Sequence, residues 1–294
     1  MSQGTPLQEW LPRVGEHSLY MARRHVAAET STDTDYICST ISRDVFFAVP
    51  VRKREGNALP PESVLTSYDA VHDYYAGRAD AYVVLDSKQL KSVAGDWYVF
   101  NESAATLRGT GSIGASDAAG AEFVVNSAIL FPTADDGIRG EICVTRHPFD
   151  DVVSGQAPSL PSIDASFPRH EMDHTTLLDE FVEALRGGDS DEVGHLLAQP
   201  HSLAMRLDTI GGTPRIETTT SRADAEKILA AAFEGAADIA IVSRIATDWY
   251  VFAEYVAEIG EKIIRRFAAI HPIEDGKLTG TFGYGRDEIR GEAD

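Results

Sequence analysis

Two stretches of this chain have the residue types and spacing of a reaction centre. His170-Glu171-Met172-Asp173-His174 sets two histidines one helical turn apart around a glutamate, the spacing by which a helix holds zinc and activates water. Pro168 could start such a helix. The stretch borders a proline- and serine-rich segment, however, and no third ligand accompanies it, so an incidental match and no metal site is the reading. Gly109-Thr110-Gly111-Ser112-Ile113-Gly114 has the glycine spacing of a dinucleotide loop, which must open a helix within a βαβ unit. Here Asp117 to Gly120 and a new strand follow almost at once, so a hairpin loop is expected and no cofactor.

Composition narrows the partners. The formal charge of −20 would repel a phosphate backbone or an anionic lipid surface, which disfavours nucleic acid and membrane. Cys38 and Cys143 are too few for a disulfide framework and are expected as reduced core thiols. The opening residues show no basic region followed by an apolar run, and no continuous apolar segment is long enough to span a bilayer, so a soluble, cytoplasmic protein is expected.

The elements that must position any site come in two copies. Asp96-Trp97-Tyr98-Val99-Phe100 returns 152 positions later as Asp248-Trp249-Tyr250-Val251-Phe252. Upstream, Gly77-Arg78-Ala79-Asp80 echoes Gly235-Ala236-Ala237-Asp238 at an offset of 158, which gives the first half a longer connection before its tryptophan. A repeat of this length implies two copies of one domain: residues 13–152, a linker over 153–168 rich in Pro and Ser, and residues 169–294.

Within the first copy, Leu19, Ala22 and Val26 give one apolar helical face, and a short helix passes through Ile37 and Ile41. Val45 to Val49 suits a strand ended by Pro50. A third helix carries Val64, Tyr68, Val71 and Tyr75 and stops at Gly77. Strands alone follow: Ala81 to Leu85, the Trp97 strand to about Leu107, Glu122 to Phe131 and Gly140 to Thr145, with loops at 85–94 and 108–121. The second half repeats this order, and Asp135-Asp136-Gly137 and Glu274-Asp275-Gly276 mark the same hairpin in each copy. An α+β class follows: two domains, each a curved, mostly antiparallel sheet packed on about three helices.

That order resembles the SnoaL-like and ketosteroid-isomerase-like superfamily, also called nuclear transport factor 2-like. The resemblance implies a cone of helices around a curved sheet with a cavity at its wide end, a small-molecule ligand, and a tandem chain whose copies form an internal pseudo-dimer, with further homo-oligomerisation left open. The family's general base ends the first strand in a pattern like Asp-Pro-x-Gly-x-x-Pro. Leu207-Asp208-Thr209-Ile210-Gly211-Gly212-Thr213-Pro214 places Asp208 at that base, and the first half has Pro50 at the gapless equivalent. The second family acid falls on Ala268, two residues after Arg266, and Asn126 holds the Arg266 position in the first half.

These residues suggest cofactor-independent acid–base chemistry of isomerase, dehydratase or cyclase type on a small apolar or polyketide-like molecule in the second cone. Asp208 would be the base, Arg266 an anion stabiliser, and Tyr250 or His271 a further hydrogen-bond donor. Asn126, Tyr98, His72 and His271 are the candidate ligand-binding residues. The bland alternatives are that Asp208 caps its own turn and that the repeated aromatic strand is core. Two other functions compete: a non-catalytic tandem module that binds a ligand or a protein, and, more distantly, a zinc-dependent hydrolase through His170 and His174.

Overall fold

The structure, a computed structural model, describes residues 15–49, 63–113, 116–117, 119–146, 174–188, 190–260 and 262–290. They form two compact units, one in each half of the chain. The first contains α1 (Glu16–Glu29), α2 (Thr34–Cys38), β1 (Phe47–Ala48), β2 (Val64–Leu65), α3 (Tyr68–Ala81), β3 (Tyr82–Ala94), β4 (Tyr98–Gly109), the small hairpin β5 (Ser112–Ile113) and β6 (Ser116–Asp117), β7 (Glu122–Pro132) and β8 (Ile142–Arg146). The second contains α4 (Thr175–Gly187), α5 (Ser190–Leu196), β9 (Leu197–Asp208), β10 (Arg215–Thr219), α6 (Arg222–Ala232), β11 (Ala236–Ala246), β12 (Tyr250–Ile259), β13 (Ile263–Glu274) and β14 (Lys277–Ile289).

Both units build one six-stranded sheet in the same spatial order, β2-β1-β8-β7-β4-β3 and β10-β9-β14-β13-β12-β11. Every pairing is antiparallel except β1 with β8 and β9 with β14. Local chemistry sets the ends of the helices. Ser67 and Ser221 accept from Ala70 N and Asp224 N and start the third helix of each unit, as Asp33 does for α2. Asp275 and Gly276, both with positive φ, make the tight turn between β13 and β14.

Three expectations change. Val64 and Leu65 are a strand, so the third helix begins at its serine cap, and Gly77 lies inside α3, which runs on to Ala81. Gly235 instead sits beyond the end of α6 with φ of 75°, so the two glycines are not equivalent. The stretch 85–94 belongs to β3, an exposed edge strand with bulges at Leu85 and Leu90, and its polar residues reflect that edge. Residues 112–113 and 116–117 form paired strands where a dinucleotide fingerprint would need a helix.

Strand alternation sorts the repeated pentapeptide into two faces. Val99 packs with Phe47, Tyr75 and Phe131 beneath the helices, and Val251 packs with Phe181, Leu229 and Phe267. Tyr98 and Phe100, with Tyr250 and Phe252, face the other way and are wholly buried there. Two residues further, on that same outer face, stand Glu102 and Glu254, both buried and both part of the repeat.

The inner faces differ in size. The ladders place Ser103 opposite Ser127, and at the matching positions Tyr255 opposite Phe267. Asn101, Ser103, Ala105, Ile129 and Thr145 on the first inner face keep accessible surface, whereas their counterparts Ala253, Tyr255, Ala257, Ala269 and Gly285 are buried. In the second unit Phe181, Phe233, Tyr255 and Phe267 meet edge to face or tilted, and one continuous core fills the cone. In the first, two separate apolar clusters flank a polar belt. The first inner face keeps accessible surface where the second is a continuous core. Phe267→Ala is therefore expected to destabilise the second unit by about 3–5 kcal/mol, whereas Ser127→Ala costs the first under about 1 kcal/mol. Urea denaturation of the two variants checks the contrast; equal losses would mean that the cones are packed alike.

Candidate functional site

In the first unit the helices and the sheet together assemble a buried hydrogen-bonded cluster. His25 comes from α1, Thr40 follows α2, Tyr75 comes from α3, and Glu141 immediately precedes β8. His25 Nδ1 lies 2.7 Å from Thr40 Oγ1 and its Nε2 lies 3.1 Å from the Tyr75 hydroxyl, which is 2.9 Å from Glu141 Oε2. Thr40 donates its one proton to Ile37 O at 2.6 Å, so it must accept from His25 Nδ1. Nε2 of the neutral ring is then an acceptor for the Tyr75 hydroxyl, and a protonated Glu141 donates to the Tyr75 oxygen. If Glu141 ionises, the Tyr75 proton turns to the carboxylate instead. Arg78 pairs with Glu29 beside this cluster and lies over the Tyr75 ring.

The second unit uses the same sheet position differently. Leu130 pairs with Ile142 and Ile270 with Phe282, so Thr281 is the counterpart of Glu141. His201 Nδ1 donates to Leu278 O at 2.9 Å, Thr281 donates to His201 Nε2 at 3.1 Å, and His271 Nδ1 donates to Thr281 at 3.1 Å. Tyr255 completes the chain by donating to His271 Nε2 at 2.8 Å. His271 lies against Phe181, while Phe131 at the His271 position lies against His25, so a histidine–phenylalanine contact is kept with its partners exchanged. This chain contains no carboxylate and is closed in by aromatic rings.

No protein-family model matches the sequence, and no curated protein matches it. Among solved structures, a candidate isomerase from Rhodopseudomonas palustris is 17% identical with a TM-score of 0.36, covering 46% of this chain and 93% of its own. A candidate polyketide cyclase from Silicibacter sp. TM1040 is 15% identical with a TM-score of 0.37, covering 45% and 91%. A protein of ketosteroid isomerase-like fold from Catenulispora acidiphila, in complex with trimethylamine, is 15% identical with a TM-score of 0.33, covering 42% and 83%. The fold is ketosteroid isomerase-like. At these identities the likeness concerns fold alone, and each of these structures spans about half of a chain that carries two such sheets.

The register places most of the sequence-predicted site residues on the sheet faces turned away from the helices. Asp208, Arg286, Arg266 and Val256 form one cross-strand row on the outer face of the second sheet, opposite the side that the helices cover. Asp208 pairs with Arg206 at 2.7 Å and accepts from the Tyr284 hydroxyl at 2.5 Å. Arg266 holds the buried Glu254 at 2.9 and 2.6 Å and reaches Glu288 at 3.4 Å. Tyr250 shares this outer face but sits opposite Pro272, far along the strand from Arg266. The expected base and stabiliser therefore face away from the cone because alternation leaves them no other side. Asn126 occupies the Arg266 position on the outer face of the first sheet, and Tyr98 is buried there against Trp97. The pairings Ala48–Ile142 and Ala204–Phe282 shift the match between the first strands by two residues from the gapless one, and Pro50 lies outside the described residues.

His72 hydrogen-bonds Asp35 at 3.0 Å and ties α3 to α2 at the surface. His271 alone of the predicted set faces a cone interior, in the filled unit. His174 precedes α4, and the remainder of its metal-like motif lies outside the described residues. A cleft of about 660 Å³ runs between α4 and β11 of the second unit, but Arg186 and Arg244 there are paired to Glu183, Asp238 and Asp179. Among the described residues, no helix is long and apolar enough to cross a membrane.

Burial, with Glu29 close by, raises the Glu141 pKa to about 8, although Arg78 and the Tyr75 hydrogen bond pull the other way. Burial likewise lowers His25 to about 4, His201 to about 4 and His271 to about 3. His25, Glu29 and Glu141 bring ligating atoms within 4.8 Å of one another, a donor set that suits a divalent cation. Arg78 already neutralises Glu29, however, and Tyr75 stands between the other two.

The titrations act on stability in opposite directions. The unfolded state takes up protons on the histidines that the native rings refuse, so their contribution is lost as pH falls below 6.5, down to about 4 for His25 and His201 and about 3 for His271. Native Glu141 instead keeps a proton that the unfolded chain has lost, so its contribution is present below 4.5 and is lost as pH rises through about 8. Glu141→Gln is expected to gain stability relative to the parent protein across that window and no further above it. Urea denaturation at a series of pH values measures this, and a difference that does not vary with pH would refute the buried-proton assignment.

Proposed function

We propose that the chain is a cofactor-independent acid–base enzyme of isomerase, dehydratase or cyclase type, that its reaction takes place on the inner face of the first unit, and that Glu141 is its proton-carrying group. The observation that carries this reading is a buried carboxyl with one oxygen on Tyr75 and the other without a hydrogen bond among the described residues, at the end of an accessible inner face.

A carboxyl that titrates near pH 8 is present in both forms at working pH. The ionised form can take a proton from a carbon beside a carbonyl, and the protonated form can give one to a leaving hydroxyl. Loss of the proton is met by Tyr75, which turns its hydroxyl from His25 to the carboxylate, and by the neighbouring Arg78. Tyr75 and His25 act as positioning residues in this scheme.

The filled interior and the carboxylate-free hydrogen-bond chain of the second unit favour a non-catalytic role for that copy. A screen of cofactor-free turnover on enones, β-hydroxy ketones and epoxides would supply a substrate. On it, Glu141→Gln is expected to lower kcat on the order of 100-fold or more, while Asp208→Asn stays within about two-fold of the parent enzyme. Full turnover by Glu141→Gln, or its loss in Asp208→Asn, would move the reaction out of the first unit.

A further inference from the structure

The two six-stranded sheets have four edge strands among the described residues, β2 and β3 in the first unit and β10 and β11 in the second. An edge offers unpaired N–H and C=O groups to any extended chain, and three of these four edges are guarded. β2 is only two residues long. β3 shifts register twice, carries Lys88 and Lys91, and has Asp86 accepting from Ser87 N at 2.9 Å. β11 also shifts register twice, and side chains take both backbone groups of Ile239: Arg186 Nε donates to its carbonyl at 2.8 Å, and Asp238 accepts from its N–H at 2.8 Å.

β10 has none of these devices. Its five residues, Arg215–Thr219, pair with β9 in unbroken register, and no side chain among the described residues hydrogen-bonds their backbone. The chain is exposed without a break from Gly211 to Ile216, and Ile216 itself is 39% exposed. Ile216 shares the sheet face of its ladder partner Arg206, while Arg215 and Glu217 lie on the other face, 3.1 Å apart.

The charges on this edge are opposite on either side of Ile216, and that selects the occupant. Two copies of β10 set antiparallel about a twofold axis at Ile216 bring Arg215 of each opposite Glu217 of the other, and the two Ile216 side chains opposite one another. Residues paired in this register are separated by an even number, so backbone groups that point outward on one copy meet outward groups on the other. A parallel neighbour would instead set arginine beside arginine and glutamate beside glutamate. The chain's charge of −20 opposes self-association at long range, but at about 0.15 M salt the screening length is about 8 Å, which damps that repulsion and leaves directly opposed charges attracting. We propose that β10 is a self-association edge, through which two copies of the chain pair antiparallel about Ile216 and join their second-unit sheets into one of twelve strands.

Sedimentation velocity on the full chain, from about 1 to about 300 µM in about 0.15 M salt, is expected to show a concentration-dependent dimer. Arg215→Glu and Glu217→Arg should each weaken it about ten-fold or more, because both cross-strand pairs become like-charged. An equimolar mixture of the two variants should recover it, since all four charges are again opposed, and recovery shows that both variants are folded. Ile216→Cys is expected to form an intermolecular disulfide on mild oxidation, whereas Thr218→Cys, set opposite Pro214, is not; native Cys38 and Cys143 are buried and do not compete. A chain that stays single across the range, a dimer indifferent to both charge variants, or equal crosslinking at 216 and 218 would overturn the proposal.

Discussion

Holding the Glu141 carboxyl out of water constrains everything around it in the first unit. An isolated buried carboxylate is costly, and the fold meets that cost in two ways at once, by letting the group keep its proton and by placing Tyr75 and the Glu29–Arg78 pair beside it. Those partners come from α1 and α3, so both helices must pack over the start of β8 for the arrangement to exist. His25 and Thr40 then fix the direction of the hydrogen bonds, because Thr40 has a single proton and Ile37 O takes it. Each polar group in the cluster narrows what the next one can do, which is why a fully satisfied network specifies one geometry.

The second unit shows the same sheet solving a different problem. Thr281 at the Glu141 position needs no charge compensation, and a chain of neutral groups from Tyr255 to a backbone carbonyl satisfies it. Tyr255 and Phe267 occupy the space that Ser103 and Ser127 leave open in the first unit. One large pair in place of one small pair accompanies a single continuous core in the second unit and two separate apolar clusters in the first.

Much of the architecture was legible because its signals are local and periodic. The repeated pentapeptide announced the duplication, and its alternation divided the faces correctly, although only the packing of Val99 and Val251 shows which face lies under the helices. The repeat in fact continues to Glu102 and Glu254, and that signal stood in the sequence two residues beyond the pentapeptide. The site was less legible. The apolar pattern of α1 suggested Leu19, Ala22 and Val26, whereas the helix turns Ser18, Met21, Ala22, His25 and Ala28 inward; a stripe sought only in apolar residues passes over a buried histidine. Glu141 lies at the edge of a strand with no motif around it, and its meaning depends on Tyr75, 66 positions away.

The contrast between the copies also bears on where activity can persist after a duplication. Filling a cone with aromatic side chains buries apolar area and stabilises that copy, whereas a polar belt of Asn101, Ser103, Thr145 and the buried Ser127 forgoes that gain and leaves Asn101 Oδ1 without a partner. The second unit carries no such belt, since its counterparts are Ala253, Tyr255, Phe267 and Gly285. That loss is confined to the first unit, the copy whose sheet also carries the buried Glu141 carboxyl.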